Sequence, residues 1–199
     1  MSERILLAIA SVLAVFVLAL ALFWQPALPE RALPAPALPA GGDFTLESAR
    51  GPVALHDYRG KLMLIYFGYT YCPDVCPTSL AATADGLKKL QPDELARVGM
   101  FFISVDPQRD TPARLKDYAE FFHPSIVGLT GTPDQLSEIA RRYGVFYARQ
   151  PTNTAGGYVV DHSSETYIVD RDGRLVGKIA HATPPDKVAE TLRKYLNQP

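Results

Sequence analysis

Residues Ile5 to Trp24 form an unbroken run of 20 residues without a charge, and Ser11 is its one polar side chain. As a helix rising about 1.5 Å per residue, such a run reaches about 30 Å, the thickness of a hydrocarbon core. The apolar part of a secretory signal is usually shorter, about 7–15 residues. The run ends in Trp24, a side chain suited to the membrane interface, and no small-x-small cleavage pattern follows it. No cysteine lies near its end, which excludes a lipid-modified cysteine anchor. The expectation is an uncleaved anchor over residues 1–24, with a cleaved signal as the alternative. Arg4 precedes the run and Glu30 and Arg31 follow it, a weak bias toward a cytoplasmic N-terminus and a domain outside.

Residues 25–42 read as a linker. Pro26, Pro29, Pro34, Pro36 and Pro39 alternate with alanine and leucine, and Gly41-Gly42 closes the segment. Such a composition buries no core and favours an extended, semi-rigid chain. Residues 43–199 are then one domain of ordinary size. Of all 199 residues, 47% are hydrophobic and 21% charged, which excludes wholesale disorder. Lys plus Arg number 20 against 21 Asp plus Glu, so no basic excess exists to neutralise nucleic-acid phosphates. Two cysteines are too few for a disulfide scaffold, and their four-residue separation makes their use local.

Within the domain, Phe44–Leu46 and Val53–Leu55 read as a short hairpin. Leu62–Tyr69 and Val98–Val105 are continuous apolar runs, the pattern of strands buried on both faces. A helix is expected from about Pro77 to Leu90. Thr111-Pro112 opens another, Ile126–Leu129 is a short strand, and Thr132-Pro133-Asp134-Gln135 is a capping box opening a third helix. Thr166–Val169 and Leu175–Ala180 are strands joined through Asp172-Gly173, and Thr183-Pro184 starts the last helix. Strand–helix–strand, an inserted strand–helix, then hairpin and helix is the order of a thioredoxin-like α/β fold. It implies a central mixed sheet flanked by helices, behind one transmembrane helix.

The first buried strand runs into Cys72-Pro73-Asp74-Val75-Cys76-Pro77. Pro77 suits a first helical turn, which puts Cys76 near the N-cap and Cys72 in the loop before it. A helix N-terminus offers unsatisfied N–H groups and partial positive charge, both favouring thiolates. Two neighbouring thiolates form a disulfide or hold a soft metal ion; inert packing is the weaker reading. Two cysteines complete neither a tetrahedral zinc site nor a standard four-cysteine cluster, whereas copper accepts fewer ligands. Oxidoreductases of this fold space their cysteines by two residues; here three intervene.

Of four histidines, His162 precedes the strand Thr166–Val169, at a position that in this fold faces the cysteine loop. Oxidoreductases carry a cis-proline there; this chain has Ser164 and no proline between Pro151 and Pro184. The combination points to Cys72, Cys76 and His162 as a metal set. Asp161 is a candidate acceptor for the distal ring nitrogen, or a plain turn residue.

The segments FGYTYCPDVCPTSL, FISVDPQRDTPARLKDY, GLTGTPDQL and VDHSSETYIVDRDGRLV occur in that order. Together with the anchor, they resemble the SCO/SenC family of copper-binding proteins. The resemblance covers residues 43–199. It implies one copper ion, as Cu(I), Cu(II) or both, on Cys72, Cys76 and His162. It implies a role in building the binuclear copper centre of cytochrome c oxidase subunit II, by delivering copper or preparing that subunit's thiols. Other periplasmic copper chaperones or thiol reductases are the further implied partners. A binding protein is expected, not an enzyme; the alternative is a membrane-anchored thiol–disulfide oxidoreductase using Cys72 and Cys76. A thiol peroxidase and a copper sensor are weaker readings. Lacking an Arg- and Ser-rich presequence, the chain is assigned to a bacterial inner membrane, single-pass, with its domain in the periplasm.

Asp106 and Arg109 are read as an ion pair or cap near the site. His56, His123 and His181 are read as surface or loop residues, Met63 and Met100 as core, Arg141-Arg142 as a solvated helix face, and Tyr66, Tyr69 and Tyr71 as packing.

Overall fold

The computed structural model describes residues 3–23, 37–151 and 157–198. Contacts divide the chain into two units, residues 1–36 and residues 37–199. In the first, helix α1 (Glu3–Phe23) is long and apolar enough to cross a membrane. Leu7, Val12, Leu13, Val15, Phe16 and Leu18 are exposed around it, a helix that is apolar on every side. Trp24 and most of the expected linker, residues 25–36, lie outside the described residues.

The second unit runs β1 (Thr45–Ser48), β2 (Gly51–Ala54), β3 (Leu62–Gly68), α2 (Val75–Leu87), α3 (Pro92–Ala96), β4 (Val98–Ser104), α4 (Pro112–Phe122), β5 (Ile126–Leu129), α5 (Pro133–Tyr143), β6 (Tyr147–Pro151), β7 (Tyr158–His162), β8 (Thr166–Val169), β9 (Leu175–Ile179) and α6 (Pro185–Leu196). Five strands form one sheet in the order β5-β4-β3-β8-β9. β3, β4 and β5 are parallel, while β8 and β9 join antiparallel, which makes the sheet mixed. β3 is central and all seven of its residues are buried, as its unbroken apolar run requires for a strand covered on both faces. Tyr66, Phe67, Phe101, Phe102, Tyr143 and Tyr167 fill the core. α2 packs along α6, and α4 lies on β5. Gly128 of β5 permits the latter approach, since a Cβ there would sit 2.5 Å from the Leu115 carbonyl oxygen.

Local signals set most boundaries. Thr132 Oγ1 accepts from Gln135 N–H and the Gln135 side chain returns the bond, closing the capping box of α5. Gly144 ends α5 in the left-handed conformation at φ 66°. Residues 41–43 pack on this helix: Gly41 N–H donates to the Arg142 carbonyl at 2.9 Å, and Tyr143 Oη donates to the Gly42 carbonyl at 3.0 Å.

Two elements go beyond the sequence reading. α3 is a short helix opened by Gln91 and Glu94 as a capping box with Pro92 in its first turn. More consequential is the two-stranded ribbon β6–β7, which stands outside the main sheet. His162 is therefore the last residue of a strand and not part of a loop.

Candidate metal centre

β3 ends at Gly68, and the chain then turns through Tyr69-Thr70-Tyr71 to Cys72. Cys72 N–H donates to the Tyr69 carbonyl at 3.2 Å. The turn is pinned by Asp110, which is 1% exposed. Its carboxylate accepts from Thr70 N–H at 3.0 Å, Thr70 Oγ1 at 2.5 Å and Ser104 Oγ at 2.7 Å. Arg114 Nε in turn donates to Thr70 Oγ1 at 2.7 Å. Satisfied on several sides, a buried carboxylate fixes the loop that presents Cys72.

Helix α2 begins two residues earlier than the position of Pro77 suggests, so Cys76 lies inside the first turn and not at the N-cap. Asp74 occupies the N-cap without a side-chain bond to the helix N–H groups; its carboxylate accepts from Thr78 Oγ1 at 3.3 Å instead. The Cys76 N–H, one of the orphan donors of that turn, points to Cys72 Sγ at 3.4 Å. The helix N-terminus thus serves Cys72, not both cysteines.

The two thiols separate accordingly. The Cys72 thiol is pulled down to about 4, first because Cys76 hydrogen-bonds to it, then through His162 and the N–H groups of Asp74 and Cys76, against the opposing effect of burial. The Cys76 thiol is pushed up, first by burial and then by the neighbouring Cys72 sulfur. Cys76 is fully buried, Cys72 lies at the margin of the surface, and both are free. One proton leaves the pair easily and the second is held. Iodoacetamide alkylation of Cys72 in the metal-free chain is therefore expected to stay nearly constant from pH 8 to pH 6. An ordinary thiol slows about 100-fold over that interval, because its thiolate fraction falls about tenfold per unit. Quantifying the modified cysteine by mass spectrometry at each pH checks this; an ordinary thiol profile would contradict it.

His162 Nε2 lies 3.2 Å from Cys76 Sγ. Its Nδ1 is 2.8 Å from the Ser163 carbonyl oxygen, which only accepts, so Nδ1 carries a proton and Nε2 is the ring nitrogen turned toward the sulfurs. This carbonyl, and not Asp161, takes the role of distal ring partner; Asp161 is exposed on β7. The imidazole is flanked edge-on by Tyr66 and Tyr69, at 6.1 and 5.8 Å between centroids. Tyr66 Oη donates to the Val75 carbonyl, while Tyr69 Oη accepts from Val160 N–H at 3.2 Å, so Tyr69 also fastens β7.

The donor atoms of Cys72, Cys76 and His162 all lie within 4.8 Å of one another. Two ligands of one ion at about 2.0–2.3 Å are separated by at most about 4.6 Å, so the set suits a shared ion with minor adjustment. Among the described residues no other cluster of His, Cys, Asp and Glu has this spacing. The remaining histidines are engaged elsewhere. His181 Nδ1 meets Ser79 Oγ at 2.8 Å, His123 Nδ1 meets Ser125 Oγ at 2.7 Å, and His56 faces Asp57 at 3.3 Å. Met63 and Met100 are buried in β3 and β4. Arg109 pairs with buried Asp106, and its guanidinium also lies over the Tyr69 and Tyr71 rings, at 5.5 and 4.9 Å from their centroids.

Residues 34–197 match the SCO1/SenC family model. A curated relative, "Protein SCO2 homolog, mitochondrial" of Bos taurus, is 36% identical over 157 residues, 78% of this chain and 59% of the relative. Among solved structures, apo Sco1 of Thermus thermophilus shares 42% identity at a TM-score of 0.71, covering 78% of this chain and 91% of that one. ScoI of Bradyrhizobium japonicum, solved with copper bound, shares 40% identity at a TM-score of 0.71, covering 78% and 99%. With a thioredoxin-like domain, a two-cysteine, one-histidine cluster and a family match over most of its length, the chain belongs to the SCO1/SenC family.

Proposed function

We propose that this chain is a membrane-anchored copper chaperone. It holds one copper ion through Cys72, Cys76 and His162, and it serves assembly of the binuclear copper centre of cytochrome c oxidase subunit II. The convergence of the three donor atoms within 4.8 Å carries the reading. Two thiolates and a neutral imidazole form a soft set that prefers Cu(I) and also accommodates Cu(II) through nitrogen. Residues 1–24 are the anchor and 25–42 the spacer of a domain working in the periplasm of a bacterium.

Transfer proceeds by ligand exchange. An incoming thiolate from the recipient adds to copper as a protein ligand departs, so no electron changes hands. Cys72 and His162 are partly accessible while Cys76 is fully buried, so Cys76 is the last protein ligand to let go. Protons compete for all three donors, and copper affinity therefore falls as pH falls. This is stoichiometric transfer and requires no turnover.

Anaerobic titration of the reduced full chain in detergent, followed by absorption and electron paramagnetic resonance, tests the reading. One equivalent of copper is expected to bind. His162→Ala is expected to lose most Cu(II) binding and to weaken Cu(I) binding less, because the two sulfurs remain. Wild-type stoichiometry and spectra in that variant would exclude His162 as a ligand. The enhanced acidity of the Cys72 thiol supports a second reading, thiol–disulfide exchange on the recipient. Rapid disulfide reduction by the metal-free chain, unchanged in His162→Ala, would favour it.

A further inference from the structure

The ribbon that carries His162 has little of its own to hold it. Of the ten residues in β6 and β7 only Val160 is buried, and the ribbon makes no ladder with the main sheet. A free two-stranded ribbon is marginally stable at best. In a strand, side chains alternate, so Tyr158, Val160 and His162 share one face of β7. Each of the three is also a point of attachment. Val160 N–H donates to Tyr69 Oη, and His162 Nε2 meets Cys76. At the other end, Tyr158 Oη donates to Asp106 Oδ1 at 2.8 Å.

Asp106 is fully buried and follows directly on the strand β4–Val105 stretch at the sheet's C-terminal end. Its second oxygen accepts from Arg109 Nε, and Arg149 of β6 approaches the first at 3.8 Å. Arg109 Nη1 donates to the Tyr158 carbonyl at 3.1 Å, and its guanidinium lies 3.7 Å over the Tyr158 ring. Arg149 lies 4.1 Å over the same ring. Tyr158 is thus held by its hydroxyl, its carbonyl and its ring. A charge-assisted bond to a buried carboxylate is among the stronger polar contacts a protein makes, and its geometry is directional.

We propose that Tyr158, Asp106 and Arg109 form a latch that positions the imidazole of His162 over the two sulfurs, and so sets how tightly copper is held through nitrogen. The three are positioning residues and touch no metal. The latch lies four residues along β7 from His162, about 13 Å at the usual strand rise. Freeing the Tyr158 hydroxyl widens the range of positions available to Nε2, while Arg109 keeps its place over Tyr69 and Tyr71 and Cys72 and Cys76 stay held by β3, α2 and Asp110. This rests on the copper site proposed above.

The test is Tyr158→Phe in the full chain in detergent, which removes one hydroxyl and keeps the stacked ring. Cu(II) affinity by chelator competition is expected to fall roughly tenfold, the lower end of what loss of an orienting partner costs a metal site. Nitrogen superhyperfine structure in the Cu(II) resonance is expected to broaden, while Cu(I) affinity by competition with bicinchoninate stays close to wild type. Asp106→Asn is expected to act in the same direction; should it fail to fold, Tyr158→Phe alone decides. Unchanged Cu(II) affinity in Tyr158→Phe, or an equal loss of Cu(I) and Cu(II), would overturn the latch. Failure of the wild-type chain itself to retain copper would overturn the site and the latch together.

Discussion

Cys76→Ser is expected to strip the chain of copper in either oxidation state. Cys76 Sγ is 3.2 Å from His162 Nε2 and within 4.8 Å of Cys72 Sγ, so two of the three pairings in the cluster involve it. Serine offers a hard oxygen whose proton is held far more tightly than a thiol's, and a soft ion prefers to leave it. What remains, Cys72 and His162, is a two-donor site open to solvent on one side. Copper per chain after desalting should fall from about one to background. The fold should survive, because the smaller serine fits the wholly buried pocket and can still donate from its hydroxyl to Cys72. A melting temperature within a few degrees of wild type, measured alongside metal content, separates ligand loss from unfolding. Stoichiometric copper in this variant would place the ion elsewhere.

How far the site was legible depends on which level of structure each residue answers to. The sheet strands β3 and β4 announce themselves as unbroken apolar runs, because a strand covered on both faces tolerates nothing else. Thr111 and Thr132 mark helix starts because orphan N–H groups must be satisfied locally. Cys72, Cys76 and His162 could be named together from residue type and order along the fold. The ribbon could not. Tyr147-Ala148-Arg149-Gln150-Pro151 has neither alternation nor an apolar run, and its strand conformation comes from pairing with β7 and from tertiary anchors at Tyr69 and Asp106. The thiol acidities have no sequence signature for a similar reason. A helix N-terminus favours thiolates in general, but the donated N–H reaches only Cys72, and burial dominates at Cys76. Ser163 as ring partner is invisible in the sequence because a backbone carbonyl has no signature there.

Gly68→Ala is expected to damage both stability and copper binding, and Gly128→Ala stability alone. Gly68 closes β3, directly under the first turn of α2. A Cβ built there would lie 2.6 Å from Cys76 Sγ, 2.9 Å from the Phe102 ring and 3.1 Å from the Tyr66 ring. Real carbon–sulfur contacts are longer, so either the sulfur is pushed off its place or α2 moves away from the sheet. Inserting a methyl into a packed interior usually costs about 1–3 kcal/mol. At Gly68 the atom that must give way is one of the three proposed copper donors, so the displacement is expected to fall on copper affinity as well as on folding. Gly128 is a matched comparison: a Cβ there would lie 2.5 Å from the Leu115 carbonyl oxygen, where α4 crosses β5, at the edge of the sheet. Its backbone neighbour yields no more readily, and the loss of stability should be comparable or larger, yet the three donors are not among its neighbours. Urea unfolding of both metal-free variants, with Cu(I) competition under conditions where each remains folded, distinguishes the two sites. Wild-type Cu(I) affinity in folded Gly68→Ala would mean that Cys76 can shift without consequence. In that case the sulfur's position would not be fixed by its packing, and the close approach of β3 to α2 would serve the fold alone.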